Sequence, residues 1–146
     1  LLTKDTKLTA IQHDTFDKVR SHAEAIDRIL VVEDNESVRE VAVDFLLDHG
    51  YEIVEAEDGL DALQHLKGRS AFDLLFTDVN LPGGMSGLGV ASEARQLQPN
   101  IKVLLTTGYS ESIVKDKGGG SQAENVILKP YRQAKLLEMI RSLLGR

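Results

Sequence analysis

Five short apolar runs, at residues 29–32, 51–56, 74–77, 103–106 and 126–128, alternate with longer segments in which apolar residues return at helical spacing. The first helical segment covers 37–49, where Val38, Val41, Ala42, Phe45 and Leu46 share a face and Gly50 supplies the stop. The second covers 60–67 and is followed by Gly68, and the third covers 88–97 and is stopped by Pro99. A shorter one at 110–117 runs into Gly118, Gly119 and Gly120. The last, 132–144, carries Leu136, Leu137, Ile140 and Leu144 as its stripe. Strands that are apolar throughout, each followed by a helix, predict βαβ units. The fold class is therefore α/β, a doubly wound five-stranded parallel sheet with helices on both faces.

Such a sheet places its crevice at the carboxyl ends of its strands. Glu33 and Asp34 follow the first predicted strand, Asp78 ends the third, Thr107 the fourth and Lys129 the fifth. Far apart in sequence, they are predicted to converge in space.

Residues 1–28 precede this alternation. Phe16, Val19, Ala23 and Ile26 form a heptad-like seam, which predicts a helix over about 9–25. It reads as a linker helix packed on the domain, or as a signalling helix offering a route to self-association. Four seam positions are too few for a coiled coil. The division expected is an N-terminal extension, 1–28, and a domain, 29–146.

Charge and composition exclude several classes. Residues 1–28 carry as many acidic as basic side chains, so the net charge of −6 falls on the remainder. An acidic domain repels phosphate backbones, and direct nucleic-acid contact is not expected. The chain has no cysteine, which excludes thiolate metal sites and suits a reducing cytoplasm. No apolar stretch is long enough to cross a membrane.

The convergent residues define a chemistry. Three carboxylates make a hard, oxygen-rich site suited to Mg2+, and like charges this close need a cation to stay ionised together. An ionised aspartate is an oxygen nucleophile toward phosphorus. Phosphoryl transfer needs its equatorial oxygens held and their charge balanced, which a lysine and a threonine hydroxyl can do. The four histidines, His13, His22, His49 and His65, lie on helical segments without ligand spacing and read as surface residues. Met85 and Tyr109 read as loop packing.

The segments Val31-Val32-Glu33-Asp34-Asn35, Phe76-Thr77-Asp78-Val79-Asn80-Leu81-Pro82, Leu104-Leu105-Thr106-Thr107-Gly108-Tyr109 and Ile127-Leu128-Lys129-Pro130-Tyr131 together resemble the response regulator receiver family, over residues 28–144. The resemblance implies a flavodoxin-like sheet of order 2-1-3-4-5. It implies that Asp78 accepts a phosphoryl group from the phosphohistidine of a histidine kinase or phosphotransfer domain. Asp34 would ligate Mg2+ directly, Glu33 mostly through water, and Asn80 through its backbone carbonyl. Thr107, placed just before the small Gly108, would turn toward the phosphoryl group. Lys129 would bind it, with a cis bond to Pro130. Apart from accepting and losing its own phosphoryl group, the chain is not expected to be an enzyme.

Two departures matter. The loop Pro82-Gly83-Gly84-Met85-Ser86-Gly87 is one residue longer than in the commonest receivers and resembles those fused to hybrid histidine kinases. With the helix expected before the domain, this favours a piece of a larger protein over a stand-alone regulator. Val126 stands where the family usually has the aromatic partner of the threonine. Two competing readings are weaker. A degenerate receiver, working only as a protein-interaction module, would lack the acceptor, the acidic pair or the lysine, and all are here. A phosphatase of the haloacid dehalogenase type needs a second aspartate where this chain has Asn80.

Overall fold

The computed structural model describes residues 26–68, 70–108 and 125–146. The helices expected over 9–25 and 110–117 lie outside the described residues, as do His13, His22 and Tyr109. The elements are β1 (Arg28–Val32), α1 (Glu36–Asp48), β2 (Glu52–Ala56), α2 (Gly59–Lys67) and β3 (Leu74–Asp78). They continue with α3 (Gly87–Leu97), β4 (Lys102–Thr107), β5 (Val126–Leu128) and α4 (Gln133–Leu144).

The sheet runs β2-β1-β3-β4-β5 with every neighbouring pair parallel. Both faces are covered, which is why the central strands read as unbroken apolar runs. On one face, α2 and α3 pack Ala62, Leu63, Leu66, Val90, Ala91 and Ala94 against Leu30, Val32, Leu75, Val103 and Leu105. On the other, α1 and α4 pack Ala42, Val43, Leu46, Leu136 and Ile140 against Ile29, Val31, Leu74, Phe76 and Leu104. The outer strand β2 departs from the expected uniform apolar pattern: Glu52 and Glu55 are exposed, because an edge strand is only partly covered.

The buried face of α1 also differs from expectation. Ala42, Val43 and Leu46 are buried, whereas Val38 and Val41 are exposed. The sheet covers one side of the helix only. Val38 and Val41 lie on its flank and line an open cleft with Pro130 and Tyr131. Three helices begin on side-chain caps, with Asn35, Asp58 and Ser86 accepting from backbone N–H groups of the first turn. Gly50 follows the end of α1 with φ +90°, the left-handed stop its position predicts.

At the amino end of β1, Asp27 is buried and its carboxylate is paired with the Arg146 guanidinium beyond α4, which raises the Arg146 pKa. The beginning of the sheet and the end of the last helix are thus tied together.

Candidate functional site

The strand order reverses at β1, which lies between β2 and β3, and the carboxyl ends of β1 and β3 open a crevice there. The turn after β1 carries Glu33 and Asp34, and Asp78 closes β3. Each of these three carboxylates offers an oxygen within 4.8 Å of the others. Glu33 and Asp78 are buried and Asp34 is exposed. Lys129, just past β5, reaches between the two buried ones: its Nζ donates to Asp78 Oδ2 at 2.8 Å and to Glu33 Oε1 at 2.9 Å. The Lys129–Pro130 peptide is cis, in accord with the resemblance.

The turns are built to hold these groups. Asn35 caps α1 through Oδ1, while its own N–H donates to Glu33 Oε2 at 3.0 Å. Asn80 N–H donates to Asp78 Oδ1 at 3.0 Å, so one oxygen of Asp78 is held by backbone and the other by Lys129. Gly87 starts α3 against the end of β3. A Cβ there would sit 2.0 Å from the Asp78 carbonyl oxygen, so only glycine allows this approach.

Electrostatics follow from this packing. Burial pushes the Glu33 carboxyl above its ordinary value, against the opposing pull of the Asn35 N–H and Lys129. Burial alone would lower Lys129, but the hydrogen bonds and charges of Asp78 and Glu33 prevail and raise it. Tyr131 is raised, chiefly by burial, and packs edge-on to Phe76 with ring centroids 6.1 Å apart.

Of the residues expected from the sequence, Glu33, Asp34, Asp78 and Lys129 are brought together. Thr107 ends β4, fully buried, opposite Leu128. Thr106 is the β4 residue in register with Asp78, and its buried hydroxyl has no hydrogen-bond partner among the described residues. Val126 pairs with Leu105 and packs on the α2–α3 side of the core. His49 and His65 are partly or fully exposed and stand apart from the carboxylates, His49 capping α1 and His65 beside Asp61. Three residues of the site were not singled out from sequence: Asn35, Arg39 and Glu55. Arg39 Nη1 donates to the Glu33 carbonyl at 2.6 Å and Nε to Glu55 at 2.9 Å. The only signal for Arg39 was a basic residue in the first turn of the helix that follows the acidic pair.

Residues 29–141 match the family described as Response regulator receiver domain. The chain is 35% identical over 120 residues to the aerobic respiration control protein ArcA of Escherichia coli, covering 81% of this chain and 48% of that protein. It is 30% identical over 115 residues to the CAI-1 autoinducer sensor kinase/phosphatase CqsS of Vibrio cholerae, covering 77% of this chain and 17% of that protein. The chain spans half or less of the length of several curated relatives it matches. Among solved structures, the chemotaxis response regulator CheY4 of Vibrio cholerae superposes with a TM-score of 0.73 at 27% identity, covering 82% of this chain and 99% of that one.

Proposed function

Because the chain belongs to the response regulator receiver family, we propose that Asp78 is its phospho-acceptor and that residues 29–146 act as the receiver of a phosphorelay. The observation that carries this reading is the meeting of Glu33, Asp34 and Asp78 within 4.8 Å, with Lys129 bonded to Asp78. In the step proposed, an Asp78 carboxylate oxygen attacks the phosphorus of a phosphohistidine. A P–O bond forms, the P–N bond breaks, and its electron pair leaves with the imidazole. The product is an acyl phosphate, and its hydrolysis resets Asp78.

The donor set fits a hard divalent cation. Glu33, Asp34, Asp78 and the Asn80 carbonyl would hold Mg2+, which supplies charge neutralisation for the phosphoryl oxygens. Lys129 gives the transferred group a fixed positive partner. The Thr107 hydroxyl, at the end of β4, is the donor proposed to turn toward it. The partner is a histidine kinase or phosphotransfer domain. Supply of phosphohistidine by such a kinase, with a chain free of cysteine, supports a cytoplasmic setting. No described helix is long and apolar enough to cross a membrane.

Incubation with acetyl phosphate and Mg2+ tests this reading. Mass spectrometry should find one phosphoryl adduct on the wild-type chain and none on Asp78→Asn, with both folded. Retained labelling of Asp78→Asn would place the acceptor elsewhere. Rapid multiple turnover of a phosphomonoester would make the chain a phosphatase.

A further inference from the structure

We propose that Arg39 is a positioning residue for the carboxylate cluster, holding the turn after β1 in the shape that brings Glu33 and Asp34 to face Asp78. The inference rests on the reading of that cluster as a cation site. The β1–β3 ladder ends at the pair Val32–Thr77, and the first α1 backbone bond runs from Arg39 N to Asn35 O. The Glu33 carbonyl falls between these two hydrogen-bonded systems. Arg39 reaches back from α1 and supplies a partner, its Nη1 donating to that carbonyl at 2.6 Å. Its Nε donates to the Glu55 carboxylate on β2 at 2.9 Å, which fixes the guanidinium plane. The Arg39 side chain is 14% exposed and that of Glu55 48%, so the guanidinium is packed while the Glu55 carboxylate lies at the surface.

One planar group therefore ties the helix, the edge strand and the peptide that leads into Asp34. Arginine suits the task because its rigid fork serves two acceptors in fixed directions, where a lysine ammonium is a single point. Charge alone predicts the opposite role. A cation beside three carboxylates competes with Mg2+, and removing it would tighten Mg2+ binding. Positioning predicts that removing it weakens binding. The sign of the change separates the two.

Calorimetric titration of the full chain with Mg2+ provides the test, with Asp34→Ala as the reference for a lost ligand. Arg39→Ala, folded at the titration temperature by its melting curve, should bind about 10-fold more weakly, as partners that orient metal ligands generally do. Arg39→Lys should recover part of the loss. Glu55→Ala leaves Arg39 in place but frees its plane, and should weaken binding about threefold, the scale of an exposed ion pair. That variant decides the matter if Arg39→Ala does not fold. Unchanged or tighter binding by folded Arg39→Ala, or by Glu55→Ala where it stands in, overturns the proposal. A wild-type chain that takes up no Mg2+, like Asp34→Ala, would overturn the cation-site reading itself, and this inference with it.

Discussion

Lys129 Nζ lies 2.8 Å from Asp78 Oδ2 across a sequence separation of 51 residues, and 2.9 Å from Glu33 Oε1. One ammonium thus balances two buried carboxylates. Lys129→Met should cost about 1–2 kcal/mol in urea unfolding, below the figure for a fully buried pair because the lysine is 30% exposed. Because the folded state raises the Lys129 pKa, its contribution is fully present below the ordinary 10.5 and is lost as pH climbs through the higher folded value. The melting temperature of the wild-type chain should fall over that alkaline range, and that of Lys129→Met should fall less.

Glu33 is shifted in the same direction, in the acidic range. Its carboxyl is raised above 4.5, so the folded state keeps a proton that the unfolded chain has lost, and its contribution to stability falls as pH rises across that window. A protonated Glu33 is also a poor cation ligand. Mg2+ affinity should therefore fall on acidification, beginning above the ordinary glutamate range, which calorimetry at a neutral and an acidic pH measures. Glu33→Gln should bind more weakly at neutral pH and show a flatter dependence.

Gly87→Ala should destabilise by about 3 kcal/mol or more in denaturant unfolding, since its Cβ would meet the Asp78 carbonyl oxygen at 2.0 Å and the Val79 Cα at 2.9 Å. Both obstacles are backbone, so no side chain can rotate away. The strain would fall on the end of β3 that presents Asp78, and acetyl phosphate labelling should decline beyond the loss of folded protein.

Asn35→Ala removes the α1 cap and should cost about 1 kcal/mol, read from the urea midpoint. The Asn35 N–H that donates to Glu33 is backbone and survives the change, so Mg2+ affinity should move little in the folded variant.

The sheet was legible because burial on both faces leaves an unbroken apolar signature in β1, β3 and β4. Their observed limits lie within one residue of those read from sequence. The acidic turn and the lysine were legible from their positions at strand ends. What pattern could not convey was which flank of α1 a neighbour covers. Val38 and Val41 belong to the helical stripe by spacing but face a cleft beside Tyr131. Nor could it convey the Arg39 contacts, because a bond between a helix side chain and a turn carbonyl depends on the angle at which α1 leaves β1. Spacing along the chain does not encode that angle.

The pairing of Asp27 with Arg146 fixes where the domain is held. Asp27 precedes β1 and Glu33 follows it, so a strand of five residues, roughly 17 Å, separates that anchor from the carboxylates. Asp27 and the end of α4 share one pole of the domain, and the carboxylate rim occupies the other. The salt link therefore joins β1 to α4 without occupying the approach to Glu33, Asp34 and Asp78.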